Sequence, residues 1–195
     1  MKKFLPLIII AILAFGFFKW GVGIFNTIIE KEGVAQAQWA NVESSYQRRA
    51  DLIPNLVATV KGYAAHEKET LEGVIKARAE ATKTTINAGD LTPEKMAAFQ
   101  KAQSGLSGAL SKLMVVVERY PDLKANQNFL ELQSQLEGTE NRINVERNRY
   151  NDMAGVYNIF IRKFPTSLIA GFKNFKDMTL YKAEAGSEKA PKVTF

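Results

Sequence analysis

The chain has 195 residues, 46% hydrophobic and 24% charged, a balance that suits one folded domain plus a membrane anchor and excludes wholesale disorder. It has no cysteine, so disulfides, thiolate zinc sites, iron–sulfur clusters, a cysteine nucleophile and a lipidated cysteine are all excluded. The net charge of +6 is spread thinly with no basic block, the pattern of a solvated helical surface, not of a nucleic-acid footprint.

Met1, Lys2 and Lys3 precede an uncharged run from Phe4 to Phe18, and Trp20 to Phe25 resumes the apolar character after Lys19. The first run alone falls short of the ~20 residues that cross a hydrocarbon core; extended through Phe25 it suffices. Lys19 can lift its ammonium to the interface on its long stem, and Trp20 is the amphipathic ring expected at headgroup level, so the two mark the outer boundary of a span. A cleaved signal peptide is the rival, with small residues two apart at Ala14 and Gly16 or at Gly21 and Gly23. No polar region separates the apolar core from either site, which favours an uncleaved anchor over residues 1–26. The positive-inside rule leans toward a cytoplasmic N-terminus with the body outside the cytoplasm.

The body, residues 27–181, reads as an antiparallel bundle of three long helices and a short C-terminal one. In the first, Trp39, Tyr46, Ile53, Val60, Glu67 and Val74 recur every seven residues, predicting a helix over 27–83 that continues, kinked, through Pro54. The second, over 93–119, opens with Thr92 as N-cap and Pro93 at the first helical position, and carries Phe99, Leu106, Leu113 and Tyr120 on one row. The third, over 126–163, repeats Phe129, Leu136, Ile143, Tyr150, Tyr157 and Phe164 without a miss. The short linker at Pro121–Ala125 predicts that the second and third helices pair antiparallel. A fourth helix is expected over 167–180, its Phe172, Phe175 and Tyr181 covering one end of the bundle. Residues 182–195 read as a mobile tail in which only the closing Val193-Thr194-Phe195 suggests docking. No strand-like alternation of useful length occurs, so the fold class is all-α.

Catalytic constellations are missing from the sequence. His66 is the only histidine and lacks the Glu-x-x-His spacing of a di-iron bundle, a second metal-binding histidine and any Gly-x-Ser-x-Gly nucleophile motif. No Gly-rich phosphate loop follows a strand. Glu67, Gln103 and Glu146 stand in the core rows of their helices, where carboxylates are costly unless paired, and Arg48, Arg49, Arg142 and Arg147 are available. These residues, with Arg147 beside Glu146, predict a buried polar layer that fixes helix register. The sharper alternative is a small-ligand or cation-binding bundle, hydrolytic in its strongest form, using Glu67, Glu146 and Arg147 in a water-filled pocket.

Three stretches, RRADLIPNLVATVKGYAAHE (Arg48–Glu67), ERYPDLKANQNFLELQSQLEGTENRI (Glu118–Ile143) and RNRYNDMAGVYNIFIRKFP (Arg147–Pro165), resemble the LemA family of bacterial membrane-anchored proteins. The resemblance runs from the N-terminal span to the closing Pro-Lys-Val-Thr-Phe. It implies an uncleaved anchor followed by an antiparallel bundle of long helices. It supplies no enzymatic activity and no cofactor, because the family's biochemical role is undefined, and it does not fix topology. The function expected is that of a non-enzymatic, single-pass helical scaffold in the bacterial inner membrane. Its expected partners are the lipid bilayer and either a second copy of itself or another envelope protein.

Overall fold

The structure is a computed structural model that describes residues 4–182 of the chain. The expectations for Lys2, Lys3 and the closing Val193-Thr194-Phe195 fall outside the described residues.

Six α-helices and one 3-10 turn make up the fold, and there is no strand among the described residues. Helix α1 runs unbroken over Leu5–Tyr63, 59 residues or about 90 Å at ~1.5 Å per residue. It therefore fuses the apolar N-terminal run to the first bundle helix, with no joint at residue 26. The first part of α1 stands clear of everything else: from Leu7 to Phe18 each residue is exposed, and the first fully buried side chain is Ile28. Helix α1, with its apolar N-terminal stretch, is by length and composition long and apolar enough to cross a membrane.

The first bundle helix does not continue to residue 83. It ends at Tyr63, Ala64 leaves the helical region at φ −128° and ψ 49°, and α2 starts afresh over Lys68–Lys83. The chain reverses there so that Leu71, Val74 and Ala81 bury against α1. A hairpin whose second arm resumes in phase leaves the same seven-residue row as one long helix, which is why periodicity alone predicts continuity. His66 lies exposed in this reversal.

After the 3-10 turn Ala88–Asp90, α3 spans Pro93–Val117, capped by the Thr92 hydroxyl accepting from the Lys95 amide at 3.3 Å. One turn of helix, α4 (Pro121–Lys124), occupies the linker and seats Leu123 in the core. Helix α5 covers Gln127–Arg162, and Asn126 caps it by accepting from the Phe129 amide at 3.0 Å. Helices α3 and α5 run antiparallel, but the closest backbone neighbour of α3 is α2 and that of α5 is α1. The side chains of α3 and α5 meet across the middle, where Leu106, Leu113 and Val117 join Phe129 and Leu136 over Ile53, Leu56 and Val60.

A second core, nearer the anchor, is aromatic. Trp39 is fully buried, donates its indole N–H to the Ile86 carbonyl at 3.0 Å, and meets Phe99 and Tyr150 edge-on with centroids 5.6 and 5.2 Å away. Burying an indole this completely is worth several kcal/mol, of the order lost in Trp→Ala core changes (~3–5 kcal/mol).

The C-terminal helix is shorter than expected. Helix α6 covers Thr166–Phe172 only, and residues 173–182 leave it as an extended strap along α5. Asn158 holds both backbone polar groups of Met178, accepting from its N–H at 2.7 Å and donating to its carbonyl at 2.9 Å. Asn151 does the same for Tyr181, at 2.7 and 2.9 Å, and the Tyr150 hydroxyl donates to the Thr179 carbonyl at 2.8 Å. The spacing is geometric: seven residues of helix advance about 10.5 Å, and three extended residues about 10 Å. Paired Asn-Met and Asn-Tyr contacts so hold the strap in a fixed register, and it needs no helical bonds of its own. Of the three aromatics expected over the bundle end, Tyr181 and Phe175 pack inward, while Phe172 points out, 87% exposed.

Candidate functional site

Helices α1, α3 and α5 and the strap converge on one polar recess. From α1 come Tyr46 and Arg49, one turn apart; from α3 come Gln100, Gln103 and Ser107; from α5 come Glu140 and Arg147; Tyr181 and Lys182 close it. The recess, partly open to solvent, holds about 70 Å3, room for an oxyanion group or about two waters at ~30 Å3 each.

Arg49 organises the recess. Its side chain is buried, yet its guanidinium donates to Glu140 at 2.6 Å, Ser107 Oγ at 3.1 Å, Gln103 Oε1 at 2.9 Å and the Gln103 carbonyl at 3.4 Å. The planar fork makes this possible, because one cation must satisfy acceptors on two helices at once. Arg49 also sits over the Tyr46 ring at 5.1 Å, and Arg147 over the Tyr181 ring at 3.9 Å. The two tyrosine hydroxyls share a hydrogen bond of 2.8 Å. The row Arg49–Tyr46–Tyr181–Arg147 thus alternates cation and aromatic across the recess. Burial raises the pKa of both phenols against the pull of the two guanidiniums, so both hydroxyls stay protonated at neutral pH.

Two buried donors, Arg49 Nε and Gln100 Nε2, find no acceptor among the described residues. Because the two hydroxyls share one bond, one tyrosine proton is also unengaged. Free donors and two guanidiniums against a single carboxylate make the recess an acceptor-seeking site. Gln100 and Lys182 also line a wide groove of about 1010 Å3. It runs between the start of α3 and the strap toward the anchor end, and its charges are mixed: Glu32, Glu94 and Asp177 face Arg162 and Lys176.

The residues expected to form one polar layer are distributed over three levels. Gln103 belongs to the recess, where it also donates to the Ala81 carbonyl at 3.3 Å, and Arg147 stands at its rim. Glu146 lies nearer the anchor, buried between α1 and α5. It accepts from Gln38 at 2.7 Å and lies 3.4 and 3.9 Å from Arg149 and Arg142. Glu67 sits at the far end, accepting from the Tyr120 hydroxyl at 3.1 Å and Arg119 at 3.0 Å. Neither carboxylate lines the recess or the groove, and no cluster of three His, Asp or Glu residues with metal-binding geometry occurs among the described residues. Arg48 is exposed, and Lys19 and Trp20 lie exposed at the end of the apolar stretch, Trp20 with its ring 5.5 Å from that of Phe17. Sequence periodicity misses Arg49 as the centre because an arginine on a core row reads as a partner for carboxylates. The signal was its row: Val42, Arg49 and Leu56 recur at seven.

Residues 38–195 match the model of the LemA family. The chain is similar to the magnetosome protein MamQ of Magnetospirillum gryphiswaldense, with 30% identity over 169 residues, covering 78% of this chain and 62% of that protein. The magnetosome protein MamQ 2 of Paramagnetospirillum magneticum is 29% identical over 171 residues with the same coverage. Protein LemA of Metamycoplasma hominis is 25% identical over 178 residues, 90% of this chain and 77% of that one. The chain thus spans about 62% of the length of its magnetosome relatives.

Proposed function

The chain belongs to the LemA family, and from that premise we propose that it is a membrane-anchored, non-enzymatic helical scaffold of the bacterial envelope. One observation carries this: the apolar span and the longest bundle helix are one continuous helix, α1. The body is then held at a set height and rotation above the bilayer, which is what a scaffold requires and a tumbling tethered enzyme does not. The partner is a second copy or another envelope protein, met along the groove beside the strap. The body lies outside the cytoplasm, with the span in the inner membrane.

Two experiments test this. A cysteine placed at exposed Glu94 on the groove rim, in a chain with no native thiol, is cross-linked in intact membranes. A cross-linked dimer or a co-captured envelope protein is expected; a strictly monomeric product without a partner counts against the scaffold. Labelling the same cysteine in whole cells with a membrane-impermeant maleimide reports the side of the membrane directly, and a thiol protected until lysis would place the body inside.

A second reading rests on the recess. Its free donors and cationic rim favour a small oxyanion, not the cation that internal carboxylates suggested. Titrating phosphate and acetate against the chain while following Tyr46 and Tyr181 resonances tests it, and Arg147→Gln is expected to weaken any response. Resonances that ignore both anions dispose of this reading.

A further inference from the structure

Helix α6 has two faces. Thr166 and Ala170 are buried and Ile169 packs beside Ile28, Tyr157 and Ile161, which fixes the helix to the anchor end of the bundle. Leu168 and Phe172, four residues apart on α6, are 65 and 87% exposed, and Phe164 in the turn just before the helix is 81% exposed. Three large apolar side chains so exposed in and beside one short helix form an apolar stripe that water covers at a cost.

The position of the stripe names its occupant. The strap just after α6 sets the Phe175 ring, tilted, against Phe25 of α1 with centroids 5.9 Å apart, and Lys173 lies over the same Phe25 ring at 5.7 Å. Phe25 is only about 7–8 Å beyond Trp20 at ~1.5 Å per residue. A headgroup layer is about 5–8 Å deep, half the difference between the full bilayer and its hydrocarbon core. Helix α6 therefore lies at the height where the headgroups end. Lys163 and Lys173 flank the stripe, exposed, with stems long enough to keep their charges among lipid phosphates. A second copy is a poor fit: three such side chains offer at most roughly 500 Å2, below the ~800 Å2 that each partner of a stable pair buries.

We propose that α6 is an interfacial foot, with Phe164, Leu168 and Phe172 reaching down into the headgroup layer of the leaflet from which α1 emerges. This rests on α1 being the membrane anchor. The foot and the span together hold the bundle at two points and set its orientation on the bilayer.

The test uses the full chain in vesicles of phosphatidylcholine and phosphatidylglycerol. Single cysteines at Leu168 in the foot, Ile12 in the span and exposed Ser111 at the opposite end of the bundle carry an environment-sensitive fluorophore. Brominated lipids are expected to quench the labels at Leu168 and Ile12 several-fold more than the label at Ser111, and aqueous iodide to do the reverse. Quenching at Ile12 but not at Leu168 overturns the foot and leaves the anchor standing. A label at Leu168 shielded from both quenchers means that protein covers the stripe, which also overturns it. Absence of lipid quenching at Ile12 removes the anchor and the foot together. Phe164→Ser with Phe172→Ser, both exposed and so tolerated by the fold, is expected to bring iodide quenching at Leu168 up to the level of Ser111.

Discussion

Arg78 of α2 supplies the hydrogen bond that Pro54 of α1 cannot make. A residue at position 54 would ordinarily donate its N–H to the Ala50 carbonyl; proline has none, and Arg78 Nε donates to that carbonyl at 2.7 Å instead. The break in the helical ladder thus becomes the point that sets the register of α2 on α1. Arg78→Ala is expected to destabilise the bundle by about 1–3 kcal/mol, because it leaves a half-buried acceptor unpaired. Pro54→Ala restores the N–H, so the same Arg78→Ala change costs about 1 kcal/mol less in that background. Thermal unfolding of the four variants in detergent measures the coupling, and strictly additive losses would show that Arg78 does not serve Pro54.

Asn151→Ala and Asn158→Ala are each expected to cost about 1–2 kcal/mol, since each frees two backbone groups of the strap. Asn→Asp at either site should be no milder, because a carboxylate keeps the acceptor but faces the strap carbonyl with a second one. Limited proteolysis provides the specific readout: cleavage within residues 173–182 accelerates while cleavage elsewhere does not. Unchanged strap cleavage in Asn158→Ala would mean that packing of Tyr181 and Phe175 alone holds the segment.

Arg49 and Glu146 are both buried, yet their removal should differ. Arg49→Ala strips acceptors on two helices and is expected to cost about 3 kcal/mol or more, with Arg49→Lys recovering little because a point charge cannot reach Ser107, Glu140 and Gln103 together. Glu140→Gln costs about 1 kcal/mol or less, its side chain being 47% exposed. Glu146→Gln keeps an acceptor for Gln38 and loses only exposed arginine partners, so about 1 kcal/mol is expected. Stability and assembly untouched by Glu146→Gln would end its role in helix register.

Alkali should unfold the bundle through its tyrosines. Burial pushes Tyr150 up to about 12, and burial together with the carboxylates of Glu32 and Asp177 does the same for Tyr157. Unfolded phenols titrate near ~10. Below that pH both states keep the protons and stability is constant. From pH ~10 to ~12 the unfolded chain releases protons that the folded chain retains, so stability falls as pH rises, by up to about 1.4 kcal/mol per pH unit for each group. Phenolate absorbance followed with circular dichroism checks this: these tyrosines should ionise together with loss of helix, and smooth ionisation near pH 10 in a folded chain would contradict it.

The long elements were legible because they obey simple rules. Thr92 and Pro93 open α3 as their types predict, α5 starts within a residue of the expected 126, and the seven-residue row from Phe129 to Tyr157 is buried along one side of α5. The reversal at Ala64 was not legible, since Glu67 and Val74 keep the phase of Val60 on either side of it. The strap was not legible for a different reason. Asn151 and Asn158 act on backbone groups, so the partner residues Met178 and Tyr181 carry no matching pattern of their own. The recess is half visible in the sequence: Gln103 and Arg147 stand out, while Arg49 shows only as a member of a core row, because its acceptors Gln103, Ser107 and Glu140 lie on two distant helices.

With its apolar end in the bilayer, as proposed above, the unbroken α1 makes the protein a lever. From Trp20 to Tyr63 the arm measures about 65 Å, and spans commonly lean about 20° from the bilayer normal. Such a lean carries the Tyr63 end sideways by about 20 Å. In the proposed anchored state, whatever fixes that lean, the span's packing and its contacts at the interface, therefore fixes the position of the far end of the body several times more sensitively.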